Sequence, residues 1–328
     1  MKRFSFEVIS ETLREVLTKS GFDDERAELC GRLFTEASRD GVYSHGLNRF
    51  PRFIDAIKTG LVDVDAKPEL IQSLGALECW DGHSGAGNLN AYGSMTRAIA
   101  LAQAHGIGCV ALRNTNHWMR GGSYGWQAAD QGMIGICWTN TLPNLPPWGG
   151  TKPTLGNNPL VIAVPRDEGH VVLDMAMSQF SFGALETYRK RDEQLPVVGG
   201  FDRKGQLTSD PGEIEASGRP LPIGYWKGSG LSLMLDMVVA LLSSGNAVFQ
   251  IPPEVPKETK LSQVFIALSP LKDDREHTLN GILAFLRTAS SDESGVRYPG
   301  ERTLEIRRQS IDQGIPVDED IWNQIIAL

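Results

Sequence analysis

The hydrophobic periodicity of the chain changes along its length, and this change limits the folds that it can adopt. Residues 5–19 and the region from 275 onward carry apolar side chains at helical spacing. Short apolar runs between them predict strands separated by helices, at 107–112, 133–138, 160–165, 171–176 and 263–268. We therefore expect an α/β protein of the mixed α+β kind, in which helices cover a sheet and both helical ends form one discontinuous subdomain.

A glycine motif tests whether this sheet is a Rossmann domain. Residues Gly106–Ala111 match G-x-G-x-x-A by letter, but they lie between a predicted helix and a predicted strand. The dinucleotide fingerprint requires the opposite order, a strand followed by a helix. Gly106 is therefore predicted to end a helix and to lead into a buried strand.

Composition excludes several classes of function. The 328 residues carry a net charge of -8, which disfavours nucleic acid or an anionic membrane as a partner. No apolar run approaches the roughly 20 residues that cross a bilayer, and the charged start does not resemble a signal peptide, so we expect a cytoplasmic protein. The cysteines and histidines lack the short spacing of metal ligands, so no metal is expected.

The segment Gly41–Phe53 interrupts a helical pattern with a histidine between small residues. Ser44 and Gly46 leave room for a ligand beside His45, and Arg49 follows with a charge suited to a carboxylate. This pattern indicates a proton donor next to an anion-binding side chain. Taken alone, the same histidine fits an ordinary polar residue near a helix start.

A second histidine follows the first predicted strand of the sheet. His117 lies in a polar loop after the strand 107–112, where active-site groups often occur. Arg120 comes shortly after it and, with Arg49, can concentrate positive potential for an anionic substrate. Arg52 fits a solvated helix face better.

Other motifs indicate a nucleotide site. A helix is predicted from about Ser229, and small residues and the cation of Lys227 precede it. This helix start fits a phosphate-binding site, and it fits equally well a helix that Ser229 merely caps. Gly300–Arg302, which opens another predicted helix, is a second and weaker candidate for an anion-binding site. Asp174 ends a strand where it can bind a ribose hydroxyl, although a core role fits as well, and Asn157 either orients a substrate or belongs to a turn.

Taken in order, these pieces resemble the type 2 L-malate/L-lactate dehydrogenase family of NAD(P)-dependent 2-oxoacid reductases, which have a non-Rossmann cofactor-binding domain. The resemblance covers essentially the whole chain. The motifs that carry it are Ser44-His45-Gly46, Asn116-His117, Asn158-Pro159, Asp174-Met175 and Lys227-Gly228-x-Gly230.

The resemblance implies an L-sulfolactate dehydrogenase-like fold and a homodimer. It assigns 1–118 with 286–328 to a helical substrate subdomain and 119–285 to a cofactor-binding domain. Substrate contacts would come from Ser44, Arg49, Arg120 and Asn157. NADH, or alternatively NADPH, would contact His170, Val171, Val172, Leu173, Asp174, Met175, Ala176, Trp226, Lys227, Gly300, Glu301 and Arg302.

The resemblance also implies a reaction, the reduction of a C2 ketone with His45 as proton donor. His117 would orient the carbonyl or take the place of His45. Longer runs such as Gly41–Gly46 and Asn116–Ala129 resemble family members that act on a 2-oxo sugar acid. The alternatives are a malate or L-lactate type of substrate, a cyclic imine carboxylate, or a sensor of sugar acids or nucleotides without catalysis. Many members have threonine where Asn157 stands.

Overall fold

A computed structural model describes residues 2–254, 258–271, 275–290 and 295–328 of the chain. The helices are α1 (Phe6–Lys19), α2 (Asp24–Arg39), α3 (Phe50–Lys58), α4 (Gly87–His105), α5 (Gly122–Asp130), α6 (Phe182–Lys190), α7 (Pro211–Ser217), α8 (Trp226–Ser243), α9 (Arg275–Arg287), α10 (Glu301–Gln313) and α11 (Glu319–Ile326). The strands are β1 (Lys2–Phe4), β2 (Glu69–Leu74), β3 (Leu77–Asp81), β4 (Ile107–Thr115), β5 (Ile134–Thr139), β6 (Pro143–Leu145), β7 (Leu155–Gly156), β8 (Leu160–Val164), β9 (Val171–Met175), β10 (Gly200–Phe201), β11 (Leu207–Thr208), β12 (Leu261–Leu268) and β13 (Ile315–Val317).

A seven-stranded mixed sheet forms the centre of the fold, in the order β2-β3-β4-β12-β5-β8-β9. Strands β3 and β4 are parallel, whereas β12 runs antiparallel to both of its neighbours. Buried side chains of β4 and β12, such as Leu112 and Phe265, pack against α4 and α5 in the main core. The predicted mixed α/β class is therefore confirmed, and all five predicted strands are present.

The conformation of Gly106 explains why its glycine motif is not a dinucleotide fingerprint. Gly106 has a φ of +83° and ends α4, and its N–H donates to the carbonyl of Ala102. A left-handed residue at this position is the usual way for a helix to stop. The chain then enters β4 directly, as predicted.

The two ends of the chain pack together. Strand β1 pairs antiparallel with β13, and the rings of Phe4 and Trp322 stack at 4.4 Å between centroids. A second core joins α1, α2 and α3 to β13 and α11 through residues such as Phe34 and Ile325. The division of the chain into two subdomains at 118/119 and 285/286 stays a prediction. Strands β2 to β4 precede residue 118 and are nevertheless hydrogen-bonded into the central sheet.

A buried carboxylate connects these ends to the sheet. Asp40, at the end of α2, accepts hydrogen bonds from Arg39 Nε at 2.9 Å, from Arg120 Nη1 at 2.6 Å and from Arg307 of α10 at 2.6 and 2.8 Å. Although burial opposes its ionisation, these guanidinium groups hold the pKa of Asp40 well below its usual value. One carboxylate thus joins three separate parts of the chain.

Replacing Asp40 by asparagine is expected to destabilise the protein by about 3 kcal/mol or more, because a buried cation loses its partner. Urea unfolding at pH 7 measures the change, with Glu11→Gln, which removes a surface pair, as a control costing below about 1 kcal/mol. Because the folded-state pKa of Asp40 is lowered, its stabilisation is present above its ordinary pKa and disappears as the pH falls. Equal losses in the two variants would contradict this role.

Candidate active site

His45 lies in a tight turn between α2 and α3. The segment Tyr43–His45 forms one turn of 3₁₀ helix, and Gly46 follows it with its Cα against α2. A side chain at Gly46 would collide with the Ser38 hydroxyl, which accepts a hydrogen bond from the N–H of Leu47 at 2.8 Å. The small residue beside His45 therefore allows the turn to pack closely against α2.

His117 is positioned by the end of β4. The side-chain amide of Asn116 donates to the carbonyls of Leu61, Ser84 and Gly85 at 2.7 to 3.0 Å, which fixes the loop. The N–H of Met119 donates to His117 Nδ1 at 3.0 Å. Nδ1 is therefore an acceptor, and the proton of the neutral ring is on Nε2.

The two predicted histidines come together. Their ring centroids are 5.7 Å apart and the rings are nearly parallel, at 23°. The Ser44 hydroxyl lies 2.9 Å from His45 Nδ1, where it can donate to a neutral ring or accept from a protonated one. Protonation of His117 at Nδ1, by contrast, would break the hydrogen bond that this nitrogen accepts from the Met119 N–H, so His45 is better suited to exchange a proton.

Burial, reinforced by surrounding positive charge, keeps both histidines neutral in the free protein. Burial, together with Arg49 and Arg120, lowers the pKa of His45 to about 4. Burial, Arg49, His45 and Arg52 hold the pKa of His117 well below its ordinary value. A bound anion that offsets these charges raises the pKa of His45 and favours its imidazolium form.

A pocket beside His117 contains two arginines and one acid. Arg49 and Arg52 line it together with Asn116 and Glu258. Arg52 is partly exposed on α3, so its interpretation as part of a solvated helix face stays a prediction. Glu258 Oε2 lies 3.9 Å from Arg49 Nη2. Burial and Arg52 lower the pKa of Arg49 to about 10, which leaves it charged at neutral pH. Glu258 was not predicted, because its segment has the composition of a surface loop.

Arg120 lies deeper than the sequence suggests. Its side chain is 5% exposed and its Nη1 is bound to Asp40, whereas its Nε has no hydrogen-bond partner among the described residues. Burial lowers the pKa of His45 and raises that of Asp174; the charge of Arg120 adds to the first shift and opposes the second, so Arg120 lies near both groups. Direct contact between Arg120 and a substrate stays a prediction.

Asn157 holds the loop that follows β9. Its side-chain oxygen accepts from the N–H of Ser178 at 2.8 Å, and its carbonyl accepts from Met177 at 2.9 Å. The amide nitrogen is the part of this side chain left for a substrate. Its assignment as a substrate contact also stays a prediction.

One candidate cofactor segment, 300–302, packs against β9, an edge strand of the sheet. The N–H of Val172 donates to the Pro299 carbonyl at 2.9 Å, and Gly300, with a φ of +93°, fits against the same strand. Asp174 keeps one side exposed while its Oδ2 accepts from the N–H of Gly122 at 2.7 Å. Desolvation by the surrounding protein atoms raises the pKa of the Asp174 carboxyl. Its accessible oxygen fits a ribose hydroxyl.

The start of α8 differs from its prediction. The helix begins at Trp226 rather than Ser229, after Tyr225 adopts a φ of +59°. The N–H groups of Lys227, Gly228 and Ser229 donate to carbonyls of residues 223–225, and the Ser229 hydroxyl accepts from Trp148, so these backbone groups are not free for a phosphate. The exposed side chains of Trp226 and Lys227 remain for a cofactor.

Two predicted cofactor residues use their side chains elsewhere. His170 Nε2 lies 2.9 Å from Asp130, and Glu301 accepts from Arg287 at 2.7 Å. Contacts from these positions to a cofactor would therefore use the backbone. The exposed Arg302 lies next to them.

The described ranges lack a clustered set of metal ligands and a membrane-spanning helix. No group of three or more histidine, cysteine, aspartate or glutamate side chains there could hold a metal ion. Within the same ranges, no helix has both the length and the apolar character to cross a membrane.

Comparison with known proteins identifies the family. The model of the family described as malate/L-lactate dehydrogenase matches residues 4–326. The chain belongs to this family. It is 48% identical to a 2,3-diketo-L-gulonate reductase from Citrobacter koseri over 99% of this chain and 100% of that protein.

Solved structures of the family share the fold. The sulfolactate dehydrogenase from Methanocaldococcus jannaschii matches with a TM-score of 0.91 at 29% identity, over 99% of this chain and 95% of the other. The delta1-piperideine-2-carboxylate reductase from Pseudomonas syringae matches with a TM-score of 0.88 at 26% identity, over 100% and 99%. As a member of this family, the protein described by the present structure is an oxidoreductase that acts on hydroxy or oxo acids with a nicotinamide cofactor.

We expect the protein to take up protons when it binds an unreactive 2-oxoacid analogue such as oxamate. The bound carboxylate offsets Arg49 and Arg120, so the pKa of His45 rises from about 4 and the ring gains up to about one proton per site. Calorimetry of the NADH complex at pH 6, in two buffers of different ionisation enthalpy, measures this uptake. It should vanish in His45→Gln and persist in His117→Asn; persistence in His45→Gln would contradict the assignment.

Proposed function

We propose that the protein reduces the C2 ketone of a 2-oxo sugar acid, converting 2,3-diketo-L-gulonate to 3-dehydro-L-gulonate with NADH. The observation that carries this proposal is the pair of neutral histidines beside Arg49, which fits a carbonyl next to a carboxylate. The choice of sugar acid is supported by the 48% identity to the Citrobacter koseri reductase over the full chain.

Each site residue has a role in this reaction. Bound NADH would supply the hydride for C2. His45 gives a proton to the developing alkoxide oxygen, a step in which a positioned acid contributes about 10² to 10⁴ in rate. Ser44 holds the His45 ring through Nδ1, and His117 donates from Nε2 to the carbonyl oxygen. Arg49 binds the carboxylate, and its charge is retained at neutral pH.

Other assignments extend this proposal. Arg120 and Asn157 would complete the substrate contacts, and the edge strand from His170 to Ala176 would line the cofactor. Asp174 would accept from a ribose hydroxyl, and Lys227 with Arg302 would meet phosphates. NADH is the proposed cofactor and NADPH the alternative, and assays with both cofactors distinguish them.

An apolar face of α8 supports the proposed homodimer. Met234, Met237 and Leu241 lie on one side of this helix and are 49 to 82% exposed. An apolar stripe of this kind is typical of an interface between subunits.

Two rival functions remain to be tested against this proposal. One is reduction of another 2-oxoacid or of a cyclic imine carboxylate, as the name of the Pseudomonas syringae enzyme describes for that protein. The other is a sensor without catalysis, although a sensor has no need of the paired histidines.

A substrate panel separates these functions. NADH and NADPH absorbance is followed with 2,3-diketo-L-gulonate, oxaloacetate, pyruvate and a cyclic imine carboxylate. We expect the highest kcat/KM with 2,3-diketo-L-gulonate and NADH. Activity on oxaloacetate alone would overturn the substrate assignment and leave the family intact, whereas binding without oxidation of any cofactor would favour the sensor.

Met237→Glu is expected to convert a dimer to a monomer, because it places a charge within the apolar face of α8. Light scattering after gel filtration measures the mass. Leu74→Glu, on the exposed strand β2, is the control that should leave the mass unchanged. A monomeric wild-type protein would refute the dimer.

A further inference from the structure

Glu258 has an unusual position for an acid in a site that binds anions. It lines the pocket beside His117, and its side chain is only 8% exposed. A carboxylate here repels an anionic substrate and costs desolvation as well. The presence of Glu258 therefore calls for a compensating interaction.

Within the described residues, the partners of Glu258 leave its carboxylate incompletely paired. Arg49 Nη2 is 3.9 Å away, longer than the 2.7 to 2.9 Å typical of a charge-assisted hydrogen bond. The N–H of Leu142 donates to the other oxygen at 3.4 Å. Burial raises the pKa of this group, while Arg49 opposes the rise. The carboxylate can accept further hydrogen bonds from a ligand in the pocket.

The position of Glu258 is fixed relative to the catalytic histidine. The hydroxyl of its neighbour Thr259 donates to Asn116 Oδ1 at 2.7 Å, and Asn116 directly precedes His117. The segment that contains Glu258 is thus hydrogen-bonded to the loop that contains His117. A substrate oriented by His117 meets Glu258 at a defined place.

The charge of the pocket matches one carboxylate. Arg49 and Arg52 line it with Glu258, so that, with His117 neutral and Glu258 ionised, the formal charges of the lining side chains sum to a single positive charge. A monocarboxylate neutralises this charge. A dicarboxylate would exceed it and place its second carboxylate near Glu258, and like charges in contact cost affinity.

We propose that Glu258 is a specificity-determining residue, which accepts hydrogen bonds from tail hydroxyls of a 2-oxo monocarboxylate and excludes dicarboxylates. This inference rests on the proposed reduction of a 2-oxo sugar acid. It defines the substrate class by chemistry, as a 2-oxoacid with one carboxylate and a hydroxylated chain. Oxaloacetate, with two carboxylates and no hydroxyl, belongs to the excluded class.

Glu258→Gln tests the inference because it removes the charge and keeps the shape. Relative to wild type, kcat/KM for oxaloacetate divided by kcat/KM for 2,3-diketo-L-gulonate should rise by about 10-fold or more. The change should appear mainly in KM, since both effects act on binding. Glu258→Asp should restore part of the preference, and Glu28→Gln, an exposed charge change on α2, should leave the ratio unchanged. An unchanged ratio in Glu258→Gln would overturn the inference.

A binding experiment separates this inference from the proposed function. Calorimetry compares malonate, a dicarboxylate, with oxamate, a monocarboxylate, on the NADH complex of each variant. Tighter malonate binding in Glu258→Gln, with oxamate unchanged, supports the role of Glu258 even if no sugar acid is reduced. Should Glu258→Gln fail to fold, wild type that binds malonate as tightly as oxamate would itself overturn the inference.

Discussion

The ionic cluster around Asp40 is the interaction on which the arrangement of the site depends. It joins the end of α2, which leads into the His45 turn, to Arg120 beside the His117 loop and to Arg307 of α10. Arg307 also lies over the ring of Trp126 in α5, at 4.2 Å. The helical ends of the chain are thereby held against the sheet, and the two histidines meet across that junction.

The same cluster shapes the chemistry. Arg120 is partly neutralised by Asp40, yet it still contributes to the low pKa of His45. Burial and positive charge favour the neutral histidines, and in the proposed mechanism an anionic ligand promotes protonation, so that the proton donor is generated where the substrate carboxylate binds. Glu258 limits how much negative charge the pocket accepts.

Much of the fold follows from local sequence, and the remainder depends on contacts between distant residues. Predicted strands and helices have long periodic patterns, whereas β1 and β13 have three residues each and pair only because the chain ends meet. His45, His117 and Arg49 were predicted because their neighbours are distinctive. Glu258 was missed because only burial by residues far along the chain makes its carboxylate unusual. The true start of α8 depends on the backbone of Tyr225, which no residue pattern encodes.

The turnover of His45→Ala tests most directly the claim that the helical end of the chain supplies the proton donor. NADH oxidation is measured at saturating 2,3-diketo-L-gulonate, and NADH binding by fluorescence. We predict a fall in kcat of about 10² to 10⁴ with NADH affinity unchanged. Unchanged turnover in this variant, together with loss of activity in His117→Asn, would assign the proton to His117 and contradict the role of His45.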